Sequence, residues 1–160
     1  MSDVVESLLT PGVIAEYAKR LDPAGNSDAV DQLSRLDAAE VVGEKIVDAD
    51  MADCCLSGLW LLHNHLHRSH DISQSIETPE GSWWHAIMHR SEGDFSNSKY
   101  WYRRVGEHEL LAEIAADFDP YAFVDQCQQE YRNGELSAVT QQLAFAEWKA
   151  LFDYCQQHSV

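Results

Sequence analysis

Apolar residues recur along this chain at steps of three and four, and no stretch keeps a strict apolar and polar alternation. That period is helical, and no Asn-Gly turn lies between β-branched runs to mark a hairpin of strands. The longest pattern runs from about Asp48 or Asp50 to His70, where Met51, Cys55, Leu59, Leu62 and Leu66 form one stripe. It predicts a central buried helix. Ser2 or Asp3 opens a short first helix, Thr10-Pro11-Gly12 breaks it before VIAEYAKRL, and Asp22-Pro23 with Gly25 marks the end of that segment. Asp28 opens DAVDQLSRL. Asp119-Pro120 is an N-cap and first-turn pair for PYAFVDQCQQEYR, Asn133-Gly134 stops it, and a last helix covers roughly Leu136 to Cys155. The expected fold is all-α, a single domain over residues 1–160 with about seven to nine helices in a bundle of antiparallel hairpins.

Composition narrows the partners. At 160 residues and 45% hydrophobic, the chain has material for one core. It has no run of apolar residues long enough for a membrane span, and MSDVVESLLTPG carries acids where a secretory leader carries Lys or Arg, so a cytoplasmic protein without a membrane partner is expected. A net charge of -16 repels polyanions, which argues against nucleic acid. Cys54, Cys55, Cys127 and Cys155 form no CxxC and read as reduced thiols.

The charge is unevenly spread. Residues 63–106 hold five acids, five bases and six of the eight histidines, so the whole excess of acid lies outside this block. Within it, a helical wheel places His63 and His70 within about 40° of Leu59, pointing with the core face, while His65 points away. On WWHAIMHRSE, Trp83, Trp84 and Ile87 define an apolar face and His85, His89 and Glu92 the opposite one. Two imidazoles at i and i+4 can chelate one divalent ion, Zn, Fe or Mn, with Glu92 as an oxygen ligand or base. Ala86 stands where a zinc protease of the HExxH type has its general base, so that chemistry is excluded. If the two faces meet, His63, His70, His85, His89 and Glu92 form one site.

The same cluster, with Arg90, also suits a small polar or anionic ligand, although Arg90 and Arg103 are equally suited to pairing with Glu92 or Asp94. Trp101 and Tyr102 read as a packing stripe, and Trp84 and Tyr100 as candidates for ligand contact. Mid-helix Cys54 and Cys55 lack a cationic activator, no GxSxG is present, and neither is a glycine-rich phosphate loop, which leaves nucleophilic and nucleotide chemistry without support.

Two resemblances add to this reading. HRSHDISQS at 67–75 echoes HRSEGDFSNS at 89–98, which implies two related hairpins with Asp71 and Asp94 each at a helix start. GDFSNSKYWYRRV then resembles the second half of a tetratricopeptide repeat, with Gly93, Asp94, Phe95, Tyr102 and Val105 on its turn and second helix. WWHAIMHRSE departs from that repeat's first helix, and the offset between Asp71 and Asp94 falls short of its period of about 34 residues. The likeness implies tetratricopeptide-like hairpins, and with them a second function: a module presenting a groove to a peptide or protein partner. The core WHAIMHRSEGDFSNSKYW further resembles a family of uncharacterised bacterial and fungal proteins over roughly residues 59–106, with Ser98 where those proteins often carry Ala. That resemblance implies a group and no activity.

Overall fold

In the computed structural model the described residues are 3–17, 25–43 and 45–160, and every regular element among them is an α-helix. Four short helices come first: α1 (Asp3–Leu8), α2 (Pro11–Glu16), α3 (Ser27–Leu33) and α4 (Ala38–Val42). The middle is built from α5 (Ala49–Leu62), α6 (Leu66–Ser73), α7 (Pro79–Glu92) and α8 (Phe95–Val105). A single turn, α9 (Leu111–Ile114), leads to α10 (Pro120–Arg132) and α11 (Ala138–Ser159). These eleven helices exceed the number expected because α4 and α9 are too short to leave a periodic signature and the long central helix is split. The proposed Ser2 cap and the Asp22-Pro23 end of VIAEYAKRL lie outside the described residues.

The capping chemistry behaves as its residue types require. Thr10, Asp119 and Ser137 each accept a backbone N–H from the first turn of α2, α10 and α11. The splitting of the central helix is the main departure from expectation. The His65 N–H donates to Trp60 O and the Asn64 N–H to Leu61 O, both at 2.9 Å, with Asn64 at φ 63°. This is a Schellman closure with Asn in the left-handed position, so α5 stops at Leu62 and the chain turns back as α6.

An equivalent closure ends α7. The Asp94 N–H donates to His89 O at 2.9 Å and the Gly93 N–H to Arg90 O at 3.2 Å, with Gly93 at φ 88°. The two hairpins, α5 with α6 and α7 with α8, are also pinned at matching places: Ser57 Oγ donates to Ser69 O at 3.0 Å, and Ser98 Oγ donates to Ala86 O at 2.8 Å. The structural register thus equates Asn64 with Gly93, not Asp71 with Asp94. Asp94 caps α8 as expected, but Asp71 lies exposed inside α6.

Helix α7 is buried on every side from Glu80 to Arg90, between α5, α6 and α8. Its polar face is therefore an internal surface. Helix α11 closes the core with Phe145, Trp148 and Phe152 stacked in succession, and Trp148 Nε1 donates to Gly58 O at 2.9 Å. All four cysteines are free and buried. No helix among the described residues is long and apolar enough to cross a membrane.

Candidate metal and ligand site

The α6–α7 contact brings together His70, His85 and His89. His70 stacks obliquely on His85, with ring centres 4.5 Å apart, and His85 lies 4.7 Å from His89 along the next turn of α7. One nitrogen from each ring lies within 4.8 Å of the others. His85 and His89 are buried, whereas the His70 side chain keeps 33% of its exposure. The cluster has a wall inside the protein and one edge in solvent.

Each buried ring has a partner on its δ nitrogen. His85 Nδ1 lies 2.9 Å from Ser73 Oγ, and His89 Nδ1 lies 2.6 Å from Glu92 Oε1. Glu92 accepts only, so the proton of His89 sits on Nδ1 and Asn97 Nδ2 donates to Nε2 at 3.0 Å. Burial first, and then His89 and His70, push the His85 pKa down to about 3. A neutral imidazole binds a metal through its unprotonated nitrogen, which in His89 is the Nε2 that Asn97 now occupies, so ligation there requires the Asn97 amide to turn away.

His63 is not brought to this cluster. The helix break makes it the C-cap of α5, and its Nε2 lies 3.2 Å from Leu8 O while Asn26 Nδ2 lies 3.1 Å from Nδ1. It lines a separate cavity of about 200 Å³ with Tyr17, Asn26 and Tyr131. The expected meeting of four imidazoles is a meeting of three, because the wheel assumed one unbroken helix. Glu92 does face the cluster, bonded to His89.

Arg90 pairs with neither Glu92 nor Asp94. Its guanidinium donates to Glu147 Oε2 at 2.6 Å and to the Tyr102 hydroxyl at 2.7 Å, and covers the Phe123 ring. Glu147, fully buried, also accepts from Trp83 Nε1 at 2.9 Å. Arg103 is exposed over Tyr100. Trp84 is completely buried against Trp148 and belongs to the core.

Sequence reasoning missed Ser73, Asn97 and Trp101 as neighbours of the histidines. Trp101, read as packing, is half-buried with its ring 4.1 Å from His85. Asn97 and Trp101 share a face of α8 at i and i+4, a signal that could have found them once α7 and α8 were paired. Set against protein-family models, curated proteins and solved structures, the chain matches none of them.

Proposed function

We propose that His70, His85 and His89 bind one divalent transition ion, Zn, Fe or Mn, in the wall between α6 and α7. The observation that carries this reading is the approach of three imidazole nitrogens to within 4.8 Å of one another. Donors on a tetrahedral ion stand about 3.3 Å apart for Zn–N bonds near 2.0–2.1 Å, so small ring rotations close the set. The partners on the δ nitrogens support it, since Ser73 and Glu92 are placed to orient two of the rings, as hydroxyls and carboxylates do behind metal-bound histidines. Glu92 then acts behind His89 and not as a ligand. A second set, His89 with Glu92 and Asp94, is less suited, because Asp94 Oδ1 already accepts from Asn97 N and Ser96 Oγ.

Three protein donors leave coordination open on the side where His70 reaches solvent, the arrangement used to bind a small polar ligand at the metal. The four buried free thiols support the expectation of a reducing, cytoplasmic setting.

Metal analysis of untagged protein tests the reading. About one equivalent of Zn, Fe or Mn is expected, held in wild type and lost in the His85→Gln, His89→Gln double variant while helicity is kept. Folded protein that takes up none of the three ions, with an unchanged melting temperature, sinks it.

A second reading, a tetratricopeptide-like interaction module, is favoured by the two matched hairpins pinned at Ser57–Ser69 and Ser98–Ala86. The same double variant separates the two, because a module of that kind keeps its partner when the imidazoles are gone.

A further inference from the structure

The surroundings of the cluster point to what the open position takes. Along α8, Asn97, Trp101 and Arg104 recur at i, i+4 and i+7, so they share one face. Asn97 donates to His89 Nε2, Trp101 packs on the His85 ring, and the Arg104 guanidinium lies 5.2 Å from the centre of the Trp101 ring. His70 and Trp101 both touch His85 and are both partly exposed, so the cluster lies close to the surface beside them.

Arg104 is exposed, held by the indole face, and within ion-pair distance of no carboxylate among the described residues. Nearby charges are largely committed elsewhere. Lys99 is paired with Asp125, Glu92 with His89, and Asp94 caps α8. Asp71 stands at the rim, 3.9 Å from His70 Nδ1. The chain carries -16 overall, yet it places Arg103 and Arg104 side by side within the one block whose formal charge is zero. A guanidinium offers two parallel N–H donors, the geometry that matches two oxygens of one anion.

We propose that the metal's open position takes a small oxyanion, a carboxylate or phosphate group, whose outer oxygens are held by Arg104 on its Trp101 platform. This rests on the metal reading above. Arg104 is a binding residue for the ligand and leaves the ion itself untouched, so the two ideas fail separately.

The full chain loaded with Co²⁺ provides the test, since cobalt's visible absorption changes when an anion enters its coordination shell. Orthophosphate and malonate are titrated in separate arms at low ionic strength, and the arm that saturates at lower concentration identifies the group preferred. A saturable spectral change is expected with at least one of them, weakened about tenfold in Arg104→Gln, with cobalt stoichiometry and melting temperature unchanged. Arg103→Gln, whose guanidinium lies over Tyr100, is expected to bind as wild type does. No spectral response to either anion on cobalt-loaded protein overturns the inference and leaves the metal reading standing. Equal weakening by Arg103→Gln and Arg104→Gln overturns it also, as that is a diffuse field and not a site. Protein that takes up no cobalt overturns the inference, and its uptake of Zn, Fe or Mn then decides the metal reading separately.

Discussion

Glu147 gathers three buried side chains into one polar network. Its two oxygens take hydrogen bonds from Trp83, Tyr102 and Arg90, the first two on Oε1 and the third on Oε2. Burial, offset in part by Arg90 and reinforced by Glu147, keeps the Tyr102 phenol well above its ordinary pKa, so it stays a donor. The Arg90 guanidinium and the Glu147 carboxyl face each other at 2.6 Å inside this set. A buried pair of this kind adds little over an apolar replacement, but removing one partner strands the other. Glu147→Gln is therefore expected to cost about 3–5 kcal/mol in urea unfolding, because it leaves the Arg90 guanidinium buried with a neutral neighbour. The Arg90→Met, Glu147→Leu double variant is expected to recover much of that loss. A cost within about 0.5 kcal/mol for Glu147→Gln is the behaviour of a surface residue and contradicts the buried network.

At the scale of elements, the caps were legible and the break between α5 and α6 was not. Asp119-Pro120, Thr10-Pro11 and Gly93-Asp94 announce helix ends by residue type alone. LWLLHNHLH does not, because the three- and four-residue apolar steps continue through Asn64, and Asn in a left-handed position has no Gly to advertise it. One unseen turn was enough to send His63 away from the cluster. Glu147 was equally hidden: Ala144, Trp148, Leu151 and Cys155 form the buried stripe of α11, and a glutamate on that stripe looks like a solvated residue until its arginine is known. The closeness of α5 to α7 was likewise set by a glycine whose role needs the fold. A Cβ at Gly58 would lie 2.8 Å from the rigid Trp84 indole, and the Gly58 carbonyl is held by Trp148. Gly58→Ala is expected to destabilise by about 1–3 kcal/mol through overpacking, whereas Gly12→Ala, where an added Cβ meets nothing closer than 4.0 Å, is expected to leave the melting temperature near that of wild type. Equal melting temperatures for all three proteins contradict the α5–α7 crossing described.

For the whole molecule, the acid charge and the buried His85 move stability in opposite directions as pH falls. With a net charge of -16 and a pI near 4.6, acidification toward pH 5 relieves repulsion among carboxylates. Burial, and then Asp50, raise the Asp53 pKa, so this residue holds its proton more tightly folded than unfolded and adds stability as pH drops. His85 acts the other way. With its folded pKa at about 3, below the ~6.5 of an unfolded histidine, the unfolded chain takes the proton first. Its contribution is complete above about pH 6.5 and is lost progressively as pH falls toward 3. The groups facing it are His70, His89, Ser73 and Trp101, with Glu92 behind His89, and none of them touching the His85 ring is anionic. Comparing wild type with His85→Gln, both freed of metal by chelator, cancels the carboxylates common to the two proteins and isolates this one group. Between pH 7 and pH 5 the wild type is expected to lose about 1–2 kcal/mol relative to the variant, read from urea unfolding at each pH. A difference between the two proteins that stays constant over that interval means that the His85 ring is as well solvated folded as unfolded, and then the three imidazoles do not form the buried cluster from which the metal and oxyanion readings were built.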